Sequence, residues 1–113
     1  DKENDQVILD WSLTLTALGD LLENDVESDQ YFREAEYKMI QAAKLGNTHA
    51  YYTLSCLYSL IGDLDNSLRL LEKAKAFDAL PSIEEILEDD WLDNLRETEK
   101  FQDFLNRLES NKA

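Results

Sequence analysis

The side chains with the most chemical potential in this chain are one histidine, His49, one cysteine, Cys56, and two adjacent pairs of acids, Glu84/Glu85 and Asp89/Asp90. A thiol and an imidazole make a nucleophile with its base, or two metal ligands, when they stand within reach of each other. Their spacing argues against both. His49 and Cys56 lie seven positions apart, which on a helix is two turns, about 10.5 Å, too far for a hydrogen bond or a shared metal. They read instead as a histidine at a helix start and a buried thiol. The acidic pairs lack the opposed carboxyls of a glycosidase and the alternating oxygen ligands plus Gly of a calcium loop. They read as solvated acids at helix starts, where the helix dipole favours them. There is no Gly-rich phosphate loop, no Ser/His/Asp set and no basic stripe. The expectation is a protein that is not an enzyme, with no metal and no cofactor.

Chemistry of this poverty leaves the elements to carry function. At 113 residues the chain is long enough for one domain with a real core. With 43% hydrophobic residues, one Pro and three Gly, it favours helices over turn-rich β structure. The predicted class is all-α. Twenty-five acids against 11 bases give a net charge of −14. Such a surface repels phosphate backbones and anionic lipid and attracts a basic or amphipathic peptide. The charge is unevenly placed: residues 1–47 hold 11 acids and 4 bases, 48–77 hold 3 and 3, and 78–113 hold 11 and 4. A lone cysteine excludes an internal disulfide and a Cys-based zinc cluster, and fits a reducing compartment. No stretch approaches the ~20 apolar residues of a membrane span. The sequence starts at Asp1 without Met, which reads as a trimmed or processed product whose targeting segment is missing; a cytoplasmic location is the expectation.

Residues 1–6 are polar and read as frayed. A helix follows from Val7, apolar on most of its circumference and needing cover on two sides. The link from Glu23 to Asp29 ends in a candidate cap at Ser28 or Asp29, and a second helix runs from about Gln30 to Leu45. Gly46 reads as its left-handed stop and Asn47 as the cap of the next helix. Residues 48–77 form the clearest unit, two amphipathic helices facing each other across Gly62-Asp63. After Phe77, Ser82 and Glu85 read as a capping box opening a short helix over 82–87. Trp91, Leu92, Leu95, Phe101, Phe104 and Leu108 read as buried anchors of a closing segment, since a stack of hairpins ends in an apolar face that something must cover. Trp11 is also read as core.

The order Tyr51, Leu54, Ser55, Tyr58, Gly62, Asp63 resembles a tetratricopeptide repeat, and Leu15, Leu18, Gly19 and Leu22 repeat its spacing. Gly19 to Ser55 is 36 residues and Ala35 to Ser67 is 32, bracketing the family's period of about 34. The words Ala42-Ala43-Lys44-Leu45-Gly46-Asn47 followed by Ala50 resemble the Sel-like branch, whose longer hairpin loop would suit Glu23 to Asp29. Asp89 to Phe101 resembles the segment that ends many bacterial arrays of the family. The resemblance implies a right-handed helix-hairpin stack filling residues 1–113 as one domain, with a degenerate repeat at 7–46, the clearest at 48–77 and closing helices at 80–108.

In that family the first helix of each hairpin lines a concave groove. Carried over position by position, this gives Leu13, Thr16, Asp20 and Glu23 from the first helix and His49, Tyr52, Cys56 and Ser59 from the third. The resulting expectation is a scaffold binding a protein or peptide with basic residues. The other reading of the same face has the terminal helices folding over it, making Tyr52 and Cys56 core. The family's clamp for a C-terminal carboxylate relies on Lys and Arg in the groove, and these positions are acidic or neutral. A bacterial secretion-type chaperone and a structural module of a longer protein are the alternative readings.

Overall fold

The computed structural model describes residues 2–110, with side chains from residue 4 onward. It is all-α, with seven helices among the described residues: α1 (Lys2–Leu21), α2 (Asp25–Lys44), α3 (Ala50–Leu60), α4 (Leu64–Ala76), α5 (Ile83–Glu88), α6 (Asp93–Arg96) and α7 (Glu99–Ser110), with a 3-10 turn at Asp90–Leu92 before α6. The frayed start expected over 1–6 is helical from Lys2, and Asp1 lies outside the described residues.

α1 and α2 run antiparallel, tied by the Lys38 ammonium over the Trp11 ring and by Phe32 against Gly19. Gly19 is required by space: a Cβ there would stand 2.8 Å from the Phe32 ring and 3.2 Å from the Tyr31 Cβ. Ser12 and Thr16, fully buried on the same face, keep their hydroxyls satisfied by donating to the Leu9 and Ser12 carbonyls at 2.6 and 2.8 Å. α2 begins five residues before the expected Gln30, because Asn24 is the cap: its Oδ1 accepts from the Val26 and Glu27 amides at 2.9 and 3.2 Å. Asp25 and Glu27 then sit in the first turn, favoured by the dipole. The long loop implied by the Sel-like resemblance is therefore absent. Ser28 instead donates to the Gly19 and Leu22 carbonyls at 2.9 and 3.2 Å, closing the end of α1.

Three helices in succession end alike. After α2, Gly46 takes φ 101° and the Asn47 amide reaches back to the Ala42 carbonyl at 3.0 Å. After α3, Gly62 takes φ 86° and Asp63 reaches Tyr58 at 2.9 Å. After α4, Asp78 takes φ 54° and Ala79 reaches Ala74 at 2.8 Å. These are left-handed terminations that return the chain antiparallel. Asn47 caps a short turn that leads into α3, accepting from the His49 amide, and also donates to Gln6 Oε1 of α1. Asp63 caps α4.

α3 and α4 cross at two fully buried serines. Ser55 Oγ donates to the Ser67 carbonyl and Ser67 Oγ to the Ser55 carbonyl, both at 2.7 Å. The hairpin divides the interior in two. Leu54, Leu57 and Leu70 pack with Leu9, Leu15, Ala35 and Met39 of α1 and α2. Cys56 and Leu71 pack with Ile86, Leu92, Leu95, Phe101 and Phe104 of the closing segment. Most apolar side chains of α3 thus have a core to enter, which is why this least charged stretch lies at the centre.

A run of caps folds the closing segment. Ser82 accepts from the Glu85 amide, Asp89 from the Trp91 amide and Thr98 from the Phe101 amide. Arg96 Nη2 donates to the Ile86 and Asp89 carbonyls at 2.9 and 2.6 Å, pinning the end of α5. Of the expected anchors, Leu92, Leu95, Phe101 and Phe104 are buried, whereas Trp91 and Leu108 are half-buried. Trp11 departs from expectation: it is 52% exposed, lying outside both cores, with the Lys38 ammonium 3.8 Å from its ring centre.

Candidate interaction groove

The eight residues carried over to a groove separate into two groups. Thr16, Cys56 and Ser59 are interior, so they are not open groove positions. Thr16 turns into the contact with α2. Ser59 is sealed by α6, its Oγ accepting from the Leu95 amide at 3.2 Å and its carbonyl from Asn94 Nδ2 at 2.9 Å. Cys56 lies in the second core, with its thiol 3.6 Å from Asp89 Oδ2. Leu13, Asp20, Glu23 and His49 are exposed, and Tyr52 is half-buried.

The closing segment makes this division. Its strap, Asp89 to Leu95, runs along α3 over Tyr52, Cys56 and Ser59. Asp89 fastens it: one carboxylate oxygen accepts from Tyr52 Oη at 2.7 Å and from the Cys56 thiol, and the other from the Trp91 amide at 3.1 Å. Burial pushes the Tyr52 hydroxyl far above its ordinary range, with Cys56 and Asp89 adding to the shift. Burial, then the Asp89 charge, pushes the Cys56 thiol well up as well. Both therefore hold their protons and donate. A thiol so held is the reverse of a nucleophile.

On either side of the strap lies a cleft. The larger in outline, about 540 Å³, is bounded by Asp20 of α1, Leu60 of α3, and Asp90, Trp91 and Asp93. The other, about 430 Å³, has Leu9, Leu13 and Pro81 as apolar wall, with His49, Tyr52, Glu85 and Asp89 at its polar edge. Leu13, His49 and Tyr52 are thus brought together, Asp20 belongs to the other side, and Glu23 sits in the connection after α1. Sequence reasoning passed over Glu85 and Asp89 as solvated acids. Asp89 immediately precedes a helical turn, and a cap position fixes where a carboxylate stands.

A site of this kind offers apolar surface and negative charge. That defines a class, an all-α module with an acidic cleft. Comparison with known protein families, with curated proteins and with solved structures finds no match, so nothing beyond this class is assigned by likeness.

Proposed function

We propose that the chain is a non-catalytic tetratricopeptide-like module, a stack of two helix hairpins with a closing segment, which holds a partner polypeptide in the cleft beside Tyr52. The partner is an amphipathic segment carrying Lys or Arg. One observation carries the reading: the cleft of about 430 Å³ joins the apolar wall of Leu9, Leu13 and Pro81 to the carboxylates of Glu85 and Asp89. Apolar contact supplies affinity there, and the carboxylates, in a chain of net charge −14, select the sign of the partner. The clefts on this side are separated by the strap, so the bound segment is short.

Fluorescence anisotropy with a labelled peptide of Leu and Lys, against a matched peptide of Leu and Glu, tests this. The Lys peptide is expected to bind and the Glu peptide to fail. Leu13→Glu and Glu85→Lys each weaken binding by about tenfold, the worth of one buried apolar contact or one charge-assisted pair. Both residues are at the surface, so helicity measured by circular dichroism stays as in the parent chain. Equal binding of both peptides, or parent-like affinity in both variants, removes the proposal.

A further inference from the structure

The clefts of this acidic protein do not all carry its sign. On the other flank of α3, between the ends of α2 and α4, a cleft of about 290 Å³ is lined by Ile40, Lys44, Tyr51, Tyr58, Arg69 and Lys73 among others, and no acid lines it. Three of the chain's 11 bases thus converge on one opening, although acids outnumber bases 25 to 11 overall. Lys44, Arg69 and Lys73 are all exposed, and none takes part in an ion pair among the described residues. The other arginines, Arg33, Arg96 and Arg107, are each in one.

The three cations are also placed by structure. Arg69 and Lys73 stand one turn apart on α4 and share a face. Arg69 is held by its Nε donating to Asn66 Oδ1 at 3.1 Å, which leaves its outer nitrogens free for a ligand. The Lys73 ammonium lies 4.9 Å from the Tyr51 ring centre. Tyr58 Oη donates to Glu36 at 2.7 Å, engaging that carboxylate outside the lining. Half-buried Ile40, Tyr51 and Tyr58 supply an apolar and aromatic floor. An apolar floor rimmed by cations selects a ligand with one apolar group and a negative charge close to it.

We propose that this cleft is a second binding site, for a ligand that joins a carboxylate to an apolar or aromatic body. The body lies on Ile40, Tyr51 and Tyr58, and the carboxylate is received by Arg69 and Lys73 with Lys44 opposite. The site shares no lining residue with the groove beside Tyr52 and attracts the opposite charge, so it stands whether or not that groove binds a basic segment.

The source of the carboxylate, an acidic peptide or a free acid, is resolved by two probes added to the full chain. One is a blocked hexapeptide, Glu-Glu-Leu-Phe-Glu-Glu; the other is 4-phenylbutyrate. Binding is followed by amide chemical shifts in two-dimensional NMR. Saturable shifts are expected within residues 40–44, 51–58 and 69–73, with the tighter probe naming the source. Affinity should fall with added salt. The double variant Arg69→Glu with Lys73→Glu, at exposed positions that leave helicity intact, should weaken binding at least about tenfold, and Leu13→Glu should leave it unchanged. The proposal is overturned if neither probe shifts these amides, if a lysine-for-glutamate peptide binds as well, or if the double variant binds like the parent.

Discussion

Asp78 is a side chain in a backbone region that suits glycine. Its φ of 54° matches the role of Gly46 and Gly62, which end α2 and α3 in the same way. An L residue there costs about 1–2 kcal/mol. Glycine would relieve this but adds about 0.4–1 kcal/mol of unfolded-chain entropy to be lost on folding. The difference is about 0–1.6 kcal/mol in favour of glycine, and because aspartate tolerates this region better than most side chains, Asp78→Gly is expected to raise stability by less than about 1 kcal/mol. The same terms with opposite sign make Gly46→Ala and Gly62→Ala lose about 1 kcal/mol each. No atom lies within 4 Å of a Cβ at either glycine, so the loss is one of backbone alone. Urea unfolding midpoints check all three, and an unchanged midpoint in Gly46→Ala would falsify the argument. The glycine stops were legible in the sequence because glycine just past an apolar period has one common use. Asp78 was not, since aspartate marks turns, caps and surfaces alike. Trp11 was misread for a related reason: periodicity shows that a residue lies on a stripe, but not which of two stripes a neighbour will cover.

At the scale of elements, the strap over α3 couples two protons to folding. In the unfolded chain a thiol ionises near pH ~8.5 and a tyrosine near ~10. In the folded chain both are shifted upward, by burial first: Cys56 and then Asp89 add to the shift of Tyr52, and the Asp89 charge adds to that of Cys56, against a smaller lowering by the hydrogen bond with Tyr52. Above the unfolded values the folded state retains protons that the unfolded state has released. Stability is therefore complete below pH ~8.5 and falls as pH rises, by up to about 1.4 kcal/mol per pH unit for each proton. Cys56→Ser keeps a donor for Asp89 and removes the first titration. Its stability relative to neutral pH should stay level to about pH 10 and only then decline with Tyr52 and with Tyr58, whose hydroxyl is likewise raised by burial and by Glu36. Chemical unfolding from pH 7 to 11 measures this, and a variant that declines from pH 8.5 like the parent would show that the thiol is not the coupled group. The need for a cover was legible, since α3 carries apolar or small residues at Leu54, Cys56, Leu57 and Ser59. Its path was not: which half of α3 the strap covers depends on Asp89 meeting Tyr52 and on Asn94 meeting Ser59, 37 and 35 residues apart. The early start of α2 was missed because Asn24 lies inside a polar run in which Asn24, Ser28 and Asp29 are all plausible caps.

At the scale of the whole molecule, the two cores share one hairpin, so loss of α3 and α4 removes the support of both, and unfolding should be a single transition. What opposes folding most evenly is charge. The compact chain concentrates a net charge of −14, and that self-repulsion weakens as salt shortens the Debye length from ~10 Å at 0.1 M to ~3 Å at 1 M. Salt also weakens the ion pairs, and the balance decides the sign. Among the described residues four pairs form: Arg33 with Asp29, Arg96 with Asp93, Lys100 with Asp65 and Arg107 with Glu72. In each at least one partner is largely in solvent, and Lys100 with Asp65 is at 4.0 Å. Exposed pairs are worth about 0–1 kcal/mol apiece, and two of these are neighbours on a single helix, at the lower end. Repulsion among the excess acids acts over the whole surface, so screening it should prevail. Raising NaCl from 0.05 to 0.5 M is expected to lift the thermal midpoint by a few degrees, the size of a gain of about 1 kcal/mol in a domain of this length. Sodium sulfate would act through water as well, so the test belongs to chloride, followed by circular dichroism at 222 nm. A midpoint that falls with NaCl would mean that specific ion pairs outweigh the net charge.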